Sequence, residues 1–172
     1  MQARPPLRAV PDFPRAGIQF IDITPWLADG SSFREAIAEL AAFARELGVD
    51  AVAAPEARGF LVGAPIAVEL GVGFLPVRKP GRLPYRSIRR DYELEYGSAA
   101  LELHVDAIKP GQRVLVVDDL LATGGTVLAT MDLIRGAGGV TAGLGFLVEL
   151  TFLSGRKQLG DLPVHTLVQI DA

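Results

Sequence analysis

Cysteine is absent from this chain of 172 residues, which excludes disulfide bonds and thiolate metal sites. Disulfides belong to oxidising compartments, so their absence favours a reducing cytoplasm. No apolar run approaches the roughly 20 residues that a membrane-spanning helix needs. Residues 1–14 contain no apolar signal core either. We therefore expect a cytoplasmic protein without a membrane partner.

An excess of positive charge is also missing. Lys and Arg number 17 against 20 Asp and Glu, which gives a net charge of −3 and a pI near 5.4. A general nucleic-acid binder carries a basic excess, so we expect no nucleic-acid partner. The chain contains neither a Gly-x-x-x-x-Gly-Lys-[Ser/Thr] P-loop nor a Gly-x-Gly-x-x-Gly dinucleotide fingerprint. These two nucleotide-binding motifs are therefore excluded.

What the sequence does contain is a strand, an acidic pair and a glycine turn in direct succession. Residues 114–117 are four consecutive aliphatic residues, the pattern of a short strand buried on both faces. Asp118 and Asp119 end this run, and residues 122–126 contain two adjacent glycines before a helical pattern begins. This order predicts a ligand site at the carboxyl edge of a parallel sheet. The alternative is a buried strand that ends in an ordinary polar turn.

The chemistry of these residues points to a sugar phosphate. Glycines let the backbone approach a phosphate closely, and the free N–H groups of a helix start point toward an anion. Two carboxylates repel a phosphate, but they accept hydrogen bonds from hydroxyl groups or bind a cation. A ligand that joins a phosphate to a diol satisfies both halves of the motif.

The wording of the motif resembles a known family. Hydrophobic residues followed by Asp-Asp-Leu-Leu-Ala-Thr-Gly-Gly-Thr resemble the phosphoribosyl-pyrophosphate (PRPP) signature of the type I phosphoribosyltransferases, most closely that of the adenine phosphoribosyltransferases. The resemblance implies that Asp118 and Asp119 engage the ribose hydroxyls of PRPP. It also implies that the glycine turn holds the 5′-phosphate. The residues of this turn are Ala122, Thr123, Gly124, Gly125 and Thr126.

The N-terminal segment continues the resemblance. Its sequence, Pro-Asp-Phe-Pro-x-x-Gly-Ile-x-Phe-x-Asp-Ile-Thr-Pro, resembles the segment that forms a hood over the purine in this family. We place the hood at about residues 1–30. The resemblance implies that adenine lies between Phe20 and Leu120. The backbone around Gln19 and Ile21 would then read the edge of the base. On the residues alone, Phe20 is favoured as a core side chain, and Ile21 stands where the family usually has a basic residue.

Two charged loops supply candidates for contacts to the leaving group. Arg58, in Glu-Ala-Arg-Gly-Phe, suits an anion beside a helix start, although a surface ion pair with Glu56 is the alternative. Residues 78–90 carry six Lys or Arg and no acid. This density indicates a solvated, mobile basic flap or, alternatively, a nucleic-acid patch. The resemblance implies pyrophosphate contacts from Arg58, Lys79 and Arg82.

A short alternating segment follows the flap. Tyr92 and Tyr96 belong to an alternation of apolar residues and glutamates, which predicts a strand. The wording Leu-Glu-Tyr-Gly resembles the family segment whose glutamate faces the purine. The resemblance therefore makes Glu95 the catalytic acid and base at purine N7. Tyr96 would pack near the sugar or the pyrophosphate.

The remaining patterns predict a scaffold of strands and helices. A capping box at Ser32 and Glu35 predicts the start of a helix that Gly48 ends. A second helix is predicted over about residues 61–70. Further buried strands are predicted over residues 49–54, 72–77, 140–150 and 164–170.

Together these patterns predict a single α/β domain over residues 1–172, of the type I phosphoribosyltransferase kind. It would have a mainly parallel central sheet flanked by helices, an N-terminal hood and a flexible basic loop. The resemblance implies a pentosyltransferase of purine salvage that converts adenine and PRPP into AMP and pyrophosphate. It also implies a homodimer, and magnesium held mainly by substrate and water. Transfer to another purine, xanthine or hypoxanthine, and a PRPP-sensing regulator without catalysis stay open.

Overall fold

Strands and helices alternate along most of the chain. A computed structural model describes residues 7–93 and 98–171. No helix in these residues combines the length and the apolar character needed to cross a membrane. The strands are β1 (Arg8–Val10), β2 (Phe20–Asp22), β3 (Ala51–Pro55), β4 (Gly73–Val77), β5 (Ser87–Glu93), β6 (Ser98–His104), β7 (Arg113–Leu121), β8 (Val140–Leu150) and β9 (Val164–Ile170). The helices are α1 (Thr24–Ala28), α2 (Gly30–Leu47), α3 (Arg58–Leu70) and α4 (Gly125–Gly136).

Five of these strands form a central parallel sheet. Their order is β4-β3-β7-β8-β9, and each neighbouring pair runs parallel. All five strands therefore end at the same edge, where the loops that follow them converge. The predicted α/β fold with a mainly parallel sheet is confirmed.

Strand β7 shows how the sheet is held between helices. Val114 and Val116 pack in a core with α4, whereas Leu115 and Val117 pack in a second core with α1, α2 and α3. Successive side chains of a strand point to opposite faces, so alternate residues enter different cores. All four side chains are fully buried, and each such burial contributes roughly 1.5–3 kcal/mol. The prediction of a strand buried on both faces is confirmed.

The N-terminal segment forms a small sheet of its own. Strands β1 and β2 pair antiparallel, with Ala9 opposite Ile21. Ile21, Ile23 and Trp26 are buried in the same core as α2 and α3. The indole N–H of Trp26 also donates a hydrogen bond to the Ser32 carbonyl at 3.2 Å. The segment is thus attached to the body of the protein by its alternate apolar residues.

The basic segment contains more strand than the sequence predicts. Strand β5 begins at Ser87, inside the predicted flap, and pairs antiparallel with β6. Ile88 and Tyr92 pack against the core of α4, while Arg89 and Asp91 are exposed and form an ion pair at 2.7 Å. This alternation starts four residues before Tyr92 and supplies the apolar face that the strand needs.

The predicted capping box at Ser32 and Glu35 is wrong. Asp29 caps helix α2 instead, because its Oδ1 accepts a hydrogen bond from the Ser32 N–H at 2.8 Å. Ser32 therefore lies within the first turn of the helix. The predicted end is correct, since Gly48 adopts the left-handed conformation with φ of 59° and terminates α2.

Candidate active site

Two loops meet at the carboxyl edge of the sheet, where β3 and β7 lie side by side. Strand β3 leads through Glu56 and Ala57 into α3, whose first residue is Arg58. The predicted helix therefore begins three residues earlier than residue 61. Strand β7 leads through residues 122–124 into α4. The charged loop and the glycine turn consequently face a common site.

Asp118 and Asp119 form an enclosed acidic pair near the end of β7. Asp118 Oδ1 accepts a hydrogen bond from the Asp119 N–H at 2.9 Å, and Asp119 is only 3% exposed. Burial, and then the charge of Asp119, raises the pKa of the Asp118 carboxyl well above its ordinary value. Asp119 Oδ2 is buried and accepts no hydrogen bond from the described residues. A buried carboxylate oxygen of this kind calls for a donor, which a hydroxyl group of a ligand can supply.

Arg58 connects this acidic pair to the N-terminal segment. Its Nε lies 2.8 Å from Asp119 Oδ2, which is an ionic contact and not an aligned hydrogen bond. Its guanidinium carbon also lies 5.2 Å from the centre of the Phe20 ring, within cation–π distance. The alternative ion pair with Glu56 is wrong, because Glu56 Oε2 accepts a hydrogen bond from Arg78 Nε at 2.6 Å. The structure thus brings together the side chains of Arg58, Asp119 and Phe20.

Gly59 leaves the space that the Asp118 carboxylate occupies. A Cβ atom at residue 59 would lie 2.9 Å from Asp118 Oδ1 and 3.1 Å from Pro55 Cδ. Such contacts are too short for any other residue unless the neighbours move. Glycine after Arg58 therefore lets the start of α3 approach the acidic pair closely. The sequence shows this glycine beside Arg58 but not the residue that it accommodates.

The glycine turn delivers the first turn of α4 to the same edge. Gly124 has φ of 92°, a left-handed conformation that favours glycine, and Gly125 begins the helix. No side chain among residues 7–93 and 98–171 caps this helix start, so the first N–H groups can serve an anion. Thr126 Oγ1 lies 3.4 Å from the Tyr92 hydroxyl. The predicted succession of strand, turn and helix is confirmed, and the phosphate contact stays a prediction.

The residues predicted to bind adenine occupy different environments. Phe20 is half-buried, with the Phe13 ring edge-on at a centroid distance of 5.1 Å. Ile21 is 8% exposed and points into the core, so only its backbone is available to a ligand. Gln19 is exposed, and Leu120 is half-buried against the core of α2 and α3. The base contacts themselves stay predictions.

The start of the basic flap is tied to the loop after β3. Lys79 and Arg82 are exposed on the turn after β4. Arg78 binds Glu56, and its Nη1 also donates to the Arg82 carbonyl at 3.1 Å. Its backbone exchanges two hydrogen bonds with Glu102, at 2.9 Å and 2.7 Å. Sequence reasoning missed Arg78, although its place as the first basic residue after β4 is a usable signal.

Two predicted residues, Glu95 and Tyr96, lie outside the described residues. Glu93, the last described residue before them, ends β5 and is exposed, and β6 resumes at Ser98. The catalytic assignment of Glu95 therefore rests on its sequence context alone.

Comparison with known proteins identifies the family. Residues 27–159 match the phosphoribosyl transferase domain family. An adenine phosphoribosyltransferase from Brevibacillus brevis is 56% identical over 163 residues, which is 95% of this chain and 96% of that protein. The crystal structure of adenine phosphoribosyltransferase from Thermoanaerobacter pseudethanolicus has a TM-score of 0.92 at 52% identity, over 95% of each chain.

A more distant solved relative was crystallised with ligands. The adenine phosphoribosyltransferase of Saccharomyces cerevisiae, in complex with D-2,5-dideoxy-2,5-imino-altritol 1,6-bisphosphate and adenine, has a TM-score of 0.88 at 39% identity. The alignment covers 94% of this chain and 93% of that one. The chain therefore belongs to the adenine phosphoribosyltransferases, within the type I phosphoribosyltransferase family.

Proposed function

We propose that this edge of the sheet is the active site at which the chain converts adenine and PRPP into AMP and pyrophosphate. Membership of the family makes the chain a pentosyltransferase of purine salvage. The observation that best supports an active site here is the 2.8 Å contact between Arg58 Nε and Asp119 Oδ2. This contact connects the start of α3, after β3, to the acidic pair of β7. In the reaction, the bond from the anomeric carbon to pyrophosphate breaks and a bond to purine N9 forms.

The sugar phosphate would occupy the loop after β7. Asp118 and Asp119 would accept hydrogen bonds from the two ribose hydroxyls. One of these hydroxyls would supply the buried Asp119 Oδ2 with the hydrogen-bond donor that it lacks. Residues 122–126 would hold the 5′-phosphate through their N–H groups at the start of α4. Fixing both ends of the ribose would orient the anomeric carbon for attack in line with the leaving group.

The leaving pyrophosphate would be bound by basic side chains. Arg58, which contacts Asp119, would bind it from the start of α3, and Lys79 and Arg82 would approach from the flap. Tyr96 would pack beside the sugar or the pyrophosphate. The positive charge of Arg58, Lys79 and Arg82 would stabilise the negative charge that develops on pyrophosphate as the bond breaks.

Magnesium fits this site as an ion carried by the substrate. Within residues 7–93 and 98–171, no group of three or more His, Cys, Asp or Glu side chains could hold a metal ion. Mg²⁺ on phosphates usually keeps several waters and few protein ligands. The ion would be held mainly by pyrophosphate and water, and Asp118 and Asp119 would be the carboxylates nearest to it. When bound, the ion would neutralise charge on the leaving group.

Adenine would bind under the hood. Phe20 and Leu120 would lie on the two faces of the base, and the backbone around Gln19 and Ile21 would read its edge. Because the Ile21 side chain is buried in the core, the loss of the usual basic residue would leave such backbone contacts possible. Glu95 would exchange the proton at N7 while N9 attacks the sugar.

We further propose that residues 1–172 act as a single domain, with the hood at about residues 1–30, and that two copies form a homodimer in the cytoplasm. The absence of cysteine supports a reducing compartment.

Pyrophosphate release tests the reaction directly. Purified protein with PRPP and magnesium is offered adenine, hypoxanthine, guanine or xanthine in separate assays. We expect release with adenine alone, because the family membership and the intact backbone near Ile21 both favour this base. Release with another base instead would keep the mechanism and overturn the substrate. Measurable PRPP binding without release on any base would leave only the PRPP-sensing regulator.

Replacing Glu95 with glutamine tests the proton transfer. The amide keeps the shape of the side chain but cannot exchange the N7 proton, so kcat should fall by about 100-fold or more. The KM for PRPP should change little, because Glu95 is not assigned to the sugar phosphate. Glu93→Gln makes the same chemical change at an exposed position two residues away and should match the wild type. A large rise in the KM for PRPP at unchanged kcat would instead make Glu95 a binding residue.

A further inference from the structure

A short turn after β8 lies directly against the glycine turn. Residues Gly155–Gln158 form one turn of 3-10 helix, which we call the supporting turn. A Cβ atom on Gly155 would lie 2.1 Å from the Ala122 carbonyl oxygen and 2.9 Å from the Thr123 carbonyl carbon. No side chain fits at residue 155 unless residues 122 and 123 are displaced. The backbones of the two turns are therefore in direct contact.

Two further contacts continue along the same loop. Gln158 Nε2 donates a hydrogen bond to the Thr123 carbonyl at 2.9 Å. A Cβ atom on Gly124 would lie 3.3 Å from the Gly155 carbonyl oxygen. The supporting turn thus contacts three consecutive residues of the glycine turn, from Ala122 to Gly124. These residues immediately precede the helix start whose N–H groups would face the phosphate.

The supporting turn is itself anchored to β8 and β9. Arg156 forms an ion pair with Glu149, which is only 4% exposed, through both of its oxygens. Arg156 also donates to Thr166 Oγ1 at 3.1 Å, and Gln169 donates to Glu149 Oε2 at 3.1 Å. The pKa of Glu149 is lowered, mainly by its hydrogen bond from Arg156, so the carboxylate stays ionised near neutral pH. The glycine turn therefore rests on a turn that is held by two strands of the sheet.

We propose that Gly155 and Gln158 are positioning residues for the 5′-phosphate of PRPP, an inference that rests on the proposed role of residues 122–126. An anion site made of backbone N–H groups is strong only when those groups already point at the ligand. A loop that must become ordered on binding has a lower affinity for its ligand, because the ordering costs conformational entropy. The supporting turn holds Ala122, Thr123 and Gly124 in place before the phosphate arrives. Neither Gly155 nor Gln158 needs to touch the substrate.

Titration of ribose 5-phosphate and of pyrophosphate with magnesium separates the two ends of PRPP. Gln158→Leu removes the donor to Thr123 and should raise the Kd for ribose 5-phosphate by about threefold to tenfold. The Kd for pyrophosphate and the value of kcat should stay within about twofold, while the KM for PRPP rises with the first Kd. Lys157→Leu, at the exposed neighbouring position, is the matched control and should behave as the wild type.

Gly155→Ala probes the backbone contact. The added Cβ must displace the loop, so the Kd for ribose 5-phosphate should rise by about 100-fold. Gly30→Ala, where a Cβ meets no atom of the described residues within 4 Å, controls for the substitution itself. If Gly155→Ala fails to fold, the result for Gln158→Leu alone tests the positioning role. Equal weakening of ribose 5-phosphate and pyrophosphate in Gln158→Leu would indicate general distortion and overturn the proposal.

Amide hydrogen exchange distinguishes this proposal from the proposed phosphate site on which it rests. If the N–H groups of residues 122–126 hold the phosphate, ribose 5-phosphate should slow their exchange in the wild-type protein. Slowed exchange in the wild type, together with wild-type ribose 5-phosphate binding in Gln158→Leu and Gly155→Ala, would overturn the positioning role alone. Unchanged exchange of these N–H groups at saturating ribose 5-phosphate would overturn the phosphate assignment, and the positioning role with it.

Discussion

Replacing Asp118 with asparagine is expected to lower kcat/KM for PRPP strongly while raising the thermal stability of the free protein. Asparagine still accepts the hydrogen bond from the Asp119 N–H, but it lacks the charge that strengthens a hydrogen bond from ribose. Hydrogen bonds to charged groups are worth about 1.5–3 kcal/mol each, so kcat/KM for PRPP should fall by about 100-fold. Because burial and Asp119 raise the pKa of Asp118, removing its charge also removes a destabilising contribution to the fold.

The stability gain from Asp118→Asn should depend on pH in a defined direction. Below about pH 3.9, the ordinary Asp pKa, Asp118 is protonated in both the folded and the unfolded wild-type chain. As the pH rises toward the raised folded-state pKa, only the unfolded chain releases this proton, so the wild type loses stability relative to the variant. Chemical denaturation between about pH 4 and pH 8 measures this difference. The gain in the free energy of unfolding should grow with pH and then level off.

An exposed aspartate provides the matched control. Asp106→Asn makes the same chemical change on the turn after β6 and should leave activity and Tm unchanged. For a chain of this length each kcal/mol gained corresponds to about 2–4 °C in Tm. The double variant Asp118→Asn with Asp119→Asn should fold and show no turnover. Turnover at the wild-type rate in either variant would remove the acidic pair from the ribose site.

Replacing Arg58 with methionine is expected to raise the KM for PRPP by about 30-fold or more. Methionine keeps an apolar side chain of similar reach but removes the guanidinium group that faces Asp119 and lies over Phe20. Truncating one partner of a buried charge pair costs about 2–5 kcal/mol in binding. The Arg58 side chain is 43% exposed, which places the loss near 2 kcal/mol, or about 30-fold. Steady-state kinetics with varied PRPP measures it.

A surface arginine and a second substitution test the interpretation of Arg58. Arg45→Met removes an ion pair with Glu69 at 3.0 Å whose members are both about half exposed, and its effect should stay below about 1 kcal/mol. Arg58→Met should also lower Tm, because Asp119 is left as a buried charge without a counterion. Adding Asp119→Asn should restore Tm but not activity. An unchanged KM in Arg58→Met would exclude a contact between Arg58 and the leaving group.

The parts of the site that are local in sequence could be predicted. Residues 114–117 form a short apolar run, the pattern of a strand buried between two layers, and β7 contains them. The strand continues through Asp118 and Asp119 to Leu121, beyond the predicted end of the run. The glycines at 124 and 125 occur where a strand must turn sharply into a helix, which the φ of Gly124 confirms. The acidic pair and its family resemblance then place the site at the end of β7.

Contacts between distant residues could not be predicted. Arg78 and Glu56 are separated by 22 residues, and only the parallel pairing of β3 with β4 brings them together. Residue 155 must be glycine because a side chain would collide with the Ala122 carbonyl. No local sequence pattern indicates this requirement. The error at Ser32 has a different cause. Asp29 and Ser32 are both good caps, and sequence does not decide which side chain accepts from the helix start.

The separate sheet of the hood has a consequence for how proteins of this kind diverge. In the part of the chain that the structure describes, strands β1 and β2 share no ladder with the five-stranded sheet. Buried apolar side chains such as Ile21 and Trp26 attach them to it. Exposed hood residues such as Gln19 can therefore mutate without cost to the packing of the parallel strands. In the proposed site, the contacts that the hood makes to the base could therefore change during evolution while the parallel sheet that carries Asp118 and Asp119 is conserved.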